Sequence, residues 1–419
     1  MITAEELRQL CSNKKVFVWG AMIVGQGVCR SLERIGAPVE SFLDSSPSLQ
    51  GRSALGYTIS KPDDVFESVR IGEGIIIAAS GHCDLEIGDC CERAGLRNGQ
   101  GYFLCRELND IDPSVDVAGM CNLRCISCPR GNENIQPAKG FMSAKTYGKV
   151  LDKLLKEIPL LGSIQLYTWG EPLLNPELPE IVAMTRDAKV LSAISSNLNY
   201  SKNLEQVVVA RPDWFKVSCS GWEESYELTH TGGRWDVFLR NLHRLADFRD
   251  SLHPEMQITV NYHLYKHNIG EDYRRMEALC KDLSLIFRPS PAYLYPADAV
   301  MEFVDGKEIS EAARRTIPLL MMSLDEGIAK ARERASLPCP EERCFPINWD
   351  CSVRTCGVFF RPFIADNFLE TPIKEIIERM RKSRLCIECK KRGIHQFTGV
   401  YLAEKRLNDT ESRRNDTAT

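Results

Sequence analysis

The chain has 419 residues and a net charge of −4, which allows two to four domains with buried cores and gives no basic surface for nucleic acid or acidic membranes. No apolar run approaches the roughly 18 residues of a membrane-spanning helix, and the acidic start lacks the apolar stretch of a signal peptide. These features predict a cytoplasmic protein, in which seventeen cysteines indicate metal or redox chemistry rather than disulfides.

Residues 1–110 are predicted to form a Rossmann-like α/β domain. Its predicted strands are Lys15–Gly20, Val39–Leu43 and Gly74–Ala79. Gly20, Gly25 and Gly27 follow the first strand and lead into a helix, and Asp44 follows the second strand. This order positions a helix N-terminus for phosphate, although the GxxxxGxG spacing is not the dinucleotide fingerprint. The domain is similar to small Rossmann-like modules of surface-polysaccharide and nucleotide-sugar proteins, and a scaffold domain without a ligand is the alternative.

Three cysteines, Cys121, Cys125 and Cys128, form a CxxxCxxC motif in the next segment. Three thiolates leave one iron of a four-iron cluster without a protein ligand, and an open metal position is where a metal does chemistry. A zinc knuckle without its fourth ligand, or three free thiols, is the alternative. The motif resembles that of the radical S-adenosylmethionine (radical SAM) superfamily. The resemblance implies that a [4Fe-4S] cluster binds S-adenosyl-L-methionine and cleaves it reductively to a 5′-deoxyadenosyl radical.

Residues 111–300 are predicted to alternate between strands and helices, which fits the partial (β/α)6 barrel of the radical SAM family. The predicted strands are Val115–Gly119, Ser163–Thr168, Val190–Ser196, Trp214–Ser220, Met256–Leu264 and Leu283–Arg288. Several of them alternate polar and apolar residues, unlike strands that are buried on both faces. Because successive side chains point to opposite faces, Lys216, Ser218 and Ser220 share one face. We assign that face to a lumen for substrate and cofactor.

The ends of three strands carry residues that the resemblance assigns to S-adenosylmethionine. The segment from Gly170 resembles the family's GGEP motif, which binds the amino group of the cofactor, although Trp169 replaces the first glycine. The segment from Ser195 stands where many relatives carry Thr-Asn-Gly. The cofactor-binding residues implied are Gly170, Glu171, Pro172, Ser195, Ser196, Asn197, Ser218 and Ser220.

Residues 301–335 are predicted to be a helical linker, 336–400 a small cysteine-rich domain and 401–419 a disordered tail. The cysteine-rich domain resembles the SPASM/twitch extension, which binds one or two auxiliary [4Fe-4S] clusters. The ligands that this resemblance implies are Cys344, Cys356, Cys386 and Cys389. Cys339 and Cys351 are extra cysteines that could replace Cys344 or support a second cluster. A structural zinc site is the alternative.

Together these features predict a radical SAM oxidoreductase that removes hydrogen from a bound substrate. Lys216, Tyr226 and His263 are candidate general bases in the lumen. A sugar or sugar alcohol would suit the N-terminal domain by analogy alone. Maturation of a ribosomal peptide and a non-catalytic zinc- and nucleotide-binding protein are the alternatives. The expected partners are the small-molecule or peptide substrate and an electron donor such as flavodoxin or ferredoxin.

Overall fold

The computed structural model describes residues 2–80, 83–108, 111–130 and 139–400, so the predicted tail at 401–419 lies outside the described residues. The chain divides into two compact units, and the first comprises residues 1–112, 148–164 and 184–192. The second unit comprises the remaining residues. Within the described ranges, no helix is both long enough and apolar enough to cross a membrane.

The N-terminal sheet has six strands in the order β3-β4-β2-β1-β5-β6. The strands are β1 (Lys15–Trp19), β2 (Val39–Leu43), β3 (Ser53–Ala54), β4 (Tyr57–Ser60), β5 (Gly74–Ala78) and β6 (Tyr102–Leu104). The helices are α1 (Ala4–Cys11), α2 (Ile23–Arg34), α3 (Phe66–Arg70), α4 (Asp84–Arg93) and α5 (Cys105–Leu108). All neighbours pair in parallel except β3 and β4. This order, with β1 between β2 and β5, confirms the predicted Rossmann-like fold.

The glycines that follow β1 have steric roles within this unit. A Cβ on Gly25 would lie 1.7 Å from the carbonyl oxygen of Gly20, and a Cβ on Gly27 would lie 2.8 Å from that of Gly162. Gly25 therefore allows the turn to close, and Gly27 allows close backbone packing of α2. The backbone N–H of Ala21 donates to the carboxylate of Asp44 at 3.2 Å. A nucleotide ligand for this domain stays a prediction.

A second sheet has nine strands in the order β12-β11-β10-β9-β8-β7-β13-β14-β15. The strands are β7 (Ser114–Val115), β8 (Ser163–Gln165), β9 (Leu191–Ser196), β10 (Trp214–Cys219), β11 (Gln257–Leu264), β12 (Ile286–Pro291), β13 (Pro346–Ile347), β14 (Val353–Arg354) and β15 (Phe363–Ala365). The pairs β7–β8, β9–β10, β10–β11 and β11–β12 are parallel. In the described chain β7 pairs with β13 instead of β12. The six strands β7–β12 therefore do not close into a ring, as predicted for a partial barrel.

Helices follow most of these strands and continue into the C-terminal region. They are α6 (Ala144–Glu157), α7 (Leu178–Asp187), α8 (Leu204–Val209), α9 (Glu224–Thr229), α10 (Trp235–Leu252), α11 (Glu271–Asp282), α12 (Ala297–Val304), α13 (Glu311–Thr316), α14 (Leu324–Glu333), α15 (Ile373–Lys382) and α16 (Arg384–Lys391). The hydroxyl of Ser143 accepts from the Thr146 N–H at 3.1 Å, which caps the start of α6.

Burial alternates along β10 as the polar and apolar pattern predicts. Lys216 and Ser218 are half-buried, whereas Phe215, Val217 and Cys219 are buried. The polar residues therefore occupy the more open face of the sheet, and the apolar residues pack against the helix layer.

The C-terminal region extends the barrel sheet directly. β13 runs parallel to β7, and β13, β14 and β15 then pair antiparallel in succession. Cys344 precedes β13 and Cys356 follows β14, so the hairpin separates these two cysteines. Behind it, apolar residues of α12, α14 and the segment after α16 form a buried core that includes Cys389.

Candidate active site

The three-cysteine loop lies beyond the end of β7 and is held by backbone hydrogen bonds. The Arg124 N–H donates to the Thr231 carbonyl at 2.8 Å, and the Ile126 N–H donates to the Thr229 carbonyl at 3.4 Å. Burial raises the pKa of Cys125 well above its ordinary value, and the charges of Cys128 and Cys121 raise it further. The three thiols therefore lie close enough to interact, and a bound metal would have to displace their protons.

The spacing of the acidic, cysteine and histidine side chains bears on what this loop could hold. Among the described residues, no three of these side chains lie in a geometry that would hold a single metal ion. Tetrahedral zinc with bonds of about 2.3 Å needs its sulfurs about 4 Å apart. An iron–sulfur cluster places each thiolate on a different iron and needs them farther apart. The three thiol groups have the donor chemistry that an iron–sulfur cluster takes.

The turn that contains Gly170 is fixed by the carboxylate of Asp116. The backbone N–H groups of Trp169 and Gly170 donate to its two oxygens at 3.3 and 3.2 Å. A Cβ on Gly170 would lie 1.6 Å from the carbonyl oxygen of Ala118. Glycine is therefore sterically required at this position, and no larger residue fits without moving the turn.

Trp169 explains the departure from the two-glycine motif. Its ring lies 4.5 Å from the ring of Tyr295 and 5.6 Å from that of Phe360, measured between centroids. The side chain is buried in this aromatic contact, so the first motif position tolerates a large residue whereas Gly170 does not.

Glu171 joins the Gly170 turn to the end of β9. One carboxylate oxygen accepts from the Leu173 N–H at 3.0 Å, and the other accepts from the Asn197 N–H at 2.8 Å. Burial raises the pKa of Glu171 from 4.5 to about 7, while these hydrogen bonds and one from Ser196 lower it. A cationic group beside it would favour the ionised form. Pro172 continues the same turn and is buried.

Asn197 brings the end of β9 to the three-cysteine loop. Its amide nitrogen lies 3.6 Å from the Cys121 sulfur and donates to the Asn122 side chain at 3.0 Å. Hydrogen bonds to a ligating sulfur tune a cluster's reduction potential. Ser196 is buried, and its hydroxyl accepts from the Leu198 N–H at 3.0 Å. The two sequence motifs and the cysteines thus meet at one place.

Asp116 and two arginines form a buried charged group that the sequence motifs do not reveal. Asp116 is 1% exposed, and its carboxylate lies 3.6 Å from Arg130 and 3.5 Å from Arg354. Both guanidinium groups also lie over the ring of Phe360. Burial lowers the pKa of Arg354 to about 10, which Asp116 opposes. An acid directly after a short apolar strand is the sequence signal for this group.

The serines predicted to bind the cofactor at the ends of β9 and β10 differ in their exposure to solvent. Ser218 and Ser195 face each other, with 3.5 Å between their hydroxyl oxygens, and both are half-buried. Ser220 is buried and lies 2.6 Å from the Thr229 hydroxyl and 3.0 Å from Nδ1 of His230. Its hydroxyl is therefore committed to internal hydrogen bonds. Burial lowers the pKa of His230 to about 3, so the imidazole is neutral.

The three candidate general bases occupy different environments. Lys216 donates to the Tyr167 hydroxyl at 2.7 Å and lies 4.5 Å from the Trp214 ring centroid, on the polar face of β10. His263 is half-buried on β11. Tyr226 has no exposed surface, stacks on His230, and accepts from Asn199 at 2.7 Å. This packing favours a structural role for Tyr226, and the general-base assignments stay predictions.

A second group of cysteines surrounds a cavity in the C-terminal region. Cys339, Cys356, Cys386 and Cys389 line it, together with the buried carboxyl group of Glu341. Cys344 and Cys351 are not among its lining residues. Cys351 lies instead in the turn between β13 and β14, with a positive φ of 67°. Three of the four predicted auxiliary ligands are therefore brought together, and Cys339 joins them.

Comparison with known proteins finds sequence relatives of part of the chain. No model of a protein family matches. A 7,8-dihydro-6-hydroxymethylpterin dimethyltransferase of Methanocaldococcus jannaschii is 31% identical over 100 residues, 22% of this chain and 19% of that protein. The Fe-coproporphyrin III synthase of Methanosarcina barkeri is 26% identical over 148 residues, 34% of this chain and 35% of that protein. The chain thus spans about a fifth to a third of the length of these relatives.

One solved structure with a similar chain path is Streptococcus suis SuiB bound to its precursor peptide SuiA. It is 13% identical in sequence, with a TM-score of 0.43. The similar region covers 66% of each chain.

Proposed function

We propose that this chain, whose predicted resemblance to the radical SAM superfamily is confirmed by its sequence relatives, is an enzyme that abstracts hydrogen from a small polar substrate. The observation that carries the proposal is the meeting of three elements at one place. These are the three-cysteine loop, the Gly170–Glu171 turn and Asn197, which contacts both. These elements are far apart in the sequence, so their meeting at one place in the fold supports a shared function.

Cys121, Cys125 and Cys128 would hold the [4Fe-4S] cluster. Bound together, the cluster and S-adenosylmethionine would supply one-electron cleavage to methionine and a 5′-deoxyadenosyl radical, with the electron drawn from a donor such as flavodoxin or ferredoxin. The protein supplies the positions of these groups at a half-buried site.

Glu171 and Asn197 support binding of the cofactor beside the cysteines. Burial raises the pKa of Glu171, and a neighbouring cation would stabilise its ionised form and lower that pKa. An ammonium group on S-adenosylmethionine is such a cation. The carboxylate of Asp116 accepts from the backbone N–H groups of Trp169 and Gly170. The carbonyl groups of this turn could then accept hydrogen bonds from the ammonium.

The open face of β10 and β11 supports a polar substrate. Lys216, Ser218, Asn261 and His263 are half-buried side chains on these two adjacent strands. Amine, hydroxyl, amide and imidazole groups at a half-buried surface would pair with the hydroxyl groups of a sugar or sugar alcohol. Lys216 is the proposed base because its amine lies on this face and is already hydrogen-bonded to Tyr167.

The test is formation of 5′-deoxyadenosine by anaerobically reconstituted, reduced protein. We expect wild type to release it, Cys125→Ala to release none, and the control Cys90→Ala, in the N-terminal unit, to match wild type. With deuterated sugars or sugar alcohols, deuterium should enter 5′-deoxyadenosine. Undiminished cofactor cleavage by Cys125→Ala would reject the proposal.

Peptide maturation remains the second candidate from the sequence, and the same assay separates the two. A peptide substrate would show a mass change in a precursor peptide and no deuterium transfer from any small alcohol. A small-molecule substrate would give the opposite result.

A further inference from the structure

The four cysteines that line the C-terminal cavity are Cys339, Cys356, Cys386 and Cys389. They differ at one position from the set that the SPASM/twitch resemblance implies, which has Cys344 in place of Cys339. We propose that Cys339 completes the auxiliary cluster site and that Cys344 lies outside the ligand set. The inference concerns the auxiliary site alone and can fail or succeed without the proposed radical chemistry.

The segment around Cys339 is tied to the elements that carry the other ligands. Before it, the side chain of Gln396 donates to the carbonyls of Leu337 and Pro338 at 3.1 and 2.8 Å. After it, Glu342 pairs with Lys390 of α16 at 3.1 Å. Contacts on both sides of Cys339 therefore hold its thiol against α16.

The remaining ligands are placed by regular structure. Cys386 and Cys389 are three residues apart on α16, and side chains at that spacing share one face of a helix. Burial raises the pKa of Cys389 to about 12, and the charges of Cys339 and Cys386 raise it further. Burial also raises the pKa of Cys356, with smaller contributions from Glu341 and Cys339. Cys339 lines the same cavity as these three thiols.

Cys344 is not among the residues that line the cavity, although its charge acts on Tyr295, which lines it. Burial raises the pKa of Tyr167, and the charge of Cys344 adds to this effect, so Cys344 lies close to that side chain. Tyr167 is the residue whose hydroxyl accepts from Lys216 on the polar face of β10. A Cβ on Gly357 would lie 4.0 Å from the Cys344 sulfur, which puts the thiol near the hairpin but not in the cavity lining.

The four thiols that line one cavity are the donor set that a four-iron cluster takes. Four protein ligands would leave no open iron, so this cluster would transfer electrons rather than bind substrate.

The experiment uses a background that carries Cys121→Ala, Cys125→Ala and Cys128→Ala, so that the auxiliary site is the only cluster site tested. After anaerobic reconstitution, iron and sulfide are measured per chain, and the reduced protein is examined by electron paramagnetic resonance. We expect about four irons and four sulfides in this background. Adding Cys339→Ala should remove most of the iron and the signal, whereas adding Cys344→Ala should leave both unchanged.

The two variants are matched because they alter the same residue type five positions apart. The reverse result, or loss in both or in neither, would overturn the assignment. A second measurement avoids substitution: thiol alkylation of the loaded and unloaded background protein, read by mass spectrometry. Loading should protect Cys339 and leave the reactivity of Cys344 unchanged, and protection of Cys344 instead would also overturn it.

Discussion

Replacing Asp116 with asparagine tests whether the buried charged group organises the site. The substitution keeps the shape of the side chain but removes the charge that lies 3.6 Å from Arg130 and 3.5 Å from Arg354. Asp116 and Arg354 are 1% and 2% exposed, so solvent does little to screen the loss. Removing one partner of a buried ion pair costs about 3–5 kcal/mol, because the other charge stays buried without compensation. The amide that replaces the carboxylate also directs an N–H donor toward guanidinium and backbone N–H groups, which are themselves donors.

The measurement is urea unfolding of the metal-free protein, followed by tryptophan fluorescence. We expect Asp116→Asn to lower the free energy of unfolding by about 4 kcal/mol. The control Asp236→Asn removes an exposed pair with Arg234 and should cost less than about 1 kcal/mol. Adding Arg354→Met to Asp116→Asn should restore part of the loss, since it removes one of the uncompensated charges. Equal stability of Asp116→Asn and Asp236→Asn would refute the reasoning.

Three further outcomes follow from the site. Gly170→Ala should weaken S-adenosylmethionine binding at least about tenfold, or about 1.4 kcal/mol, because its Cβ meets the Ala118 carbonyl oxygen at 1.6 Å; unchanged affinity by calorimetry would contradict this. Asn197→Ala should make the reduction potential of the first cluster more negative, since an N–H group facing the Cys121 sulfur is lost; a redox titration that gives the wild-type value would argue against that contact. Lys216→Met should suppress product while 5′-deoxyadenosine still forms, whereas Tyr226→Phe should retain product formation and lose mainly stability; the opposite pattern would transfer the base role to Tyr226.

The helices and strands of the fold can be predicted from local patterns in the sequence. The alternation of Lys216 and Ser218 with Val217 and Cys219 predicts the two faces of β10, because strand geometry alone sets the period. The Gly170–Glu171 segment can be recognised because its motif residues are consecutive, although the Ala118 carbonyl that requires glycine is distant in the sequence.

Contacts between segments that are distant in the sequence cannot be predicted from such local patterns. Asp116 and Arg354 meet only because β7 and β13 pair and the hairpin then brings β14 alongside, and no local pattern encodes that ion pair. The position of the Cys339 segment depends on contacts with Lys390 of α16 and with Gln396 after that helix, about fifty residues further along the chain. The buried position of Tyr226 likewise depends on packing against Phe238 of α10, which the local sequence around Tyr226 does not reveal.

The pairing of β7 with β13 has a consequence for electron flow. The three-cysteine loop leaves one of these strands and the auxiliary hairpin is built on the other, with backbone hydrogen bonds between them from Asp116 to Ile347 at 2.8 Å and from Ser114 to Phe345 at 3.4 Å. If both cysteine groups hold clusters, a shared ladder of this kind would fix the distance between them by backbone register instead of leaving it to a hinge.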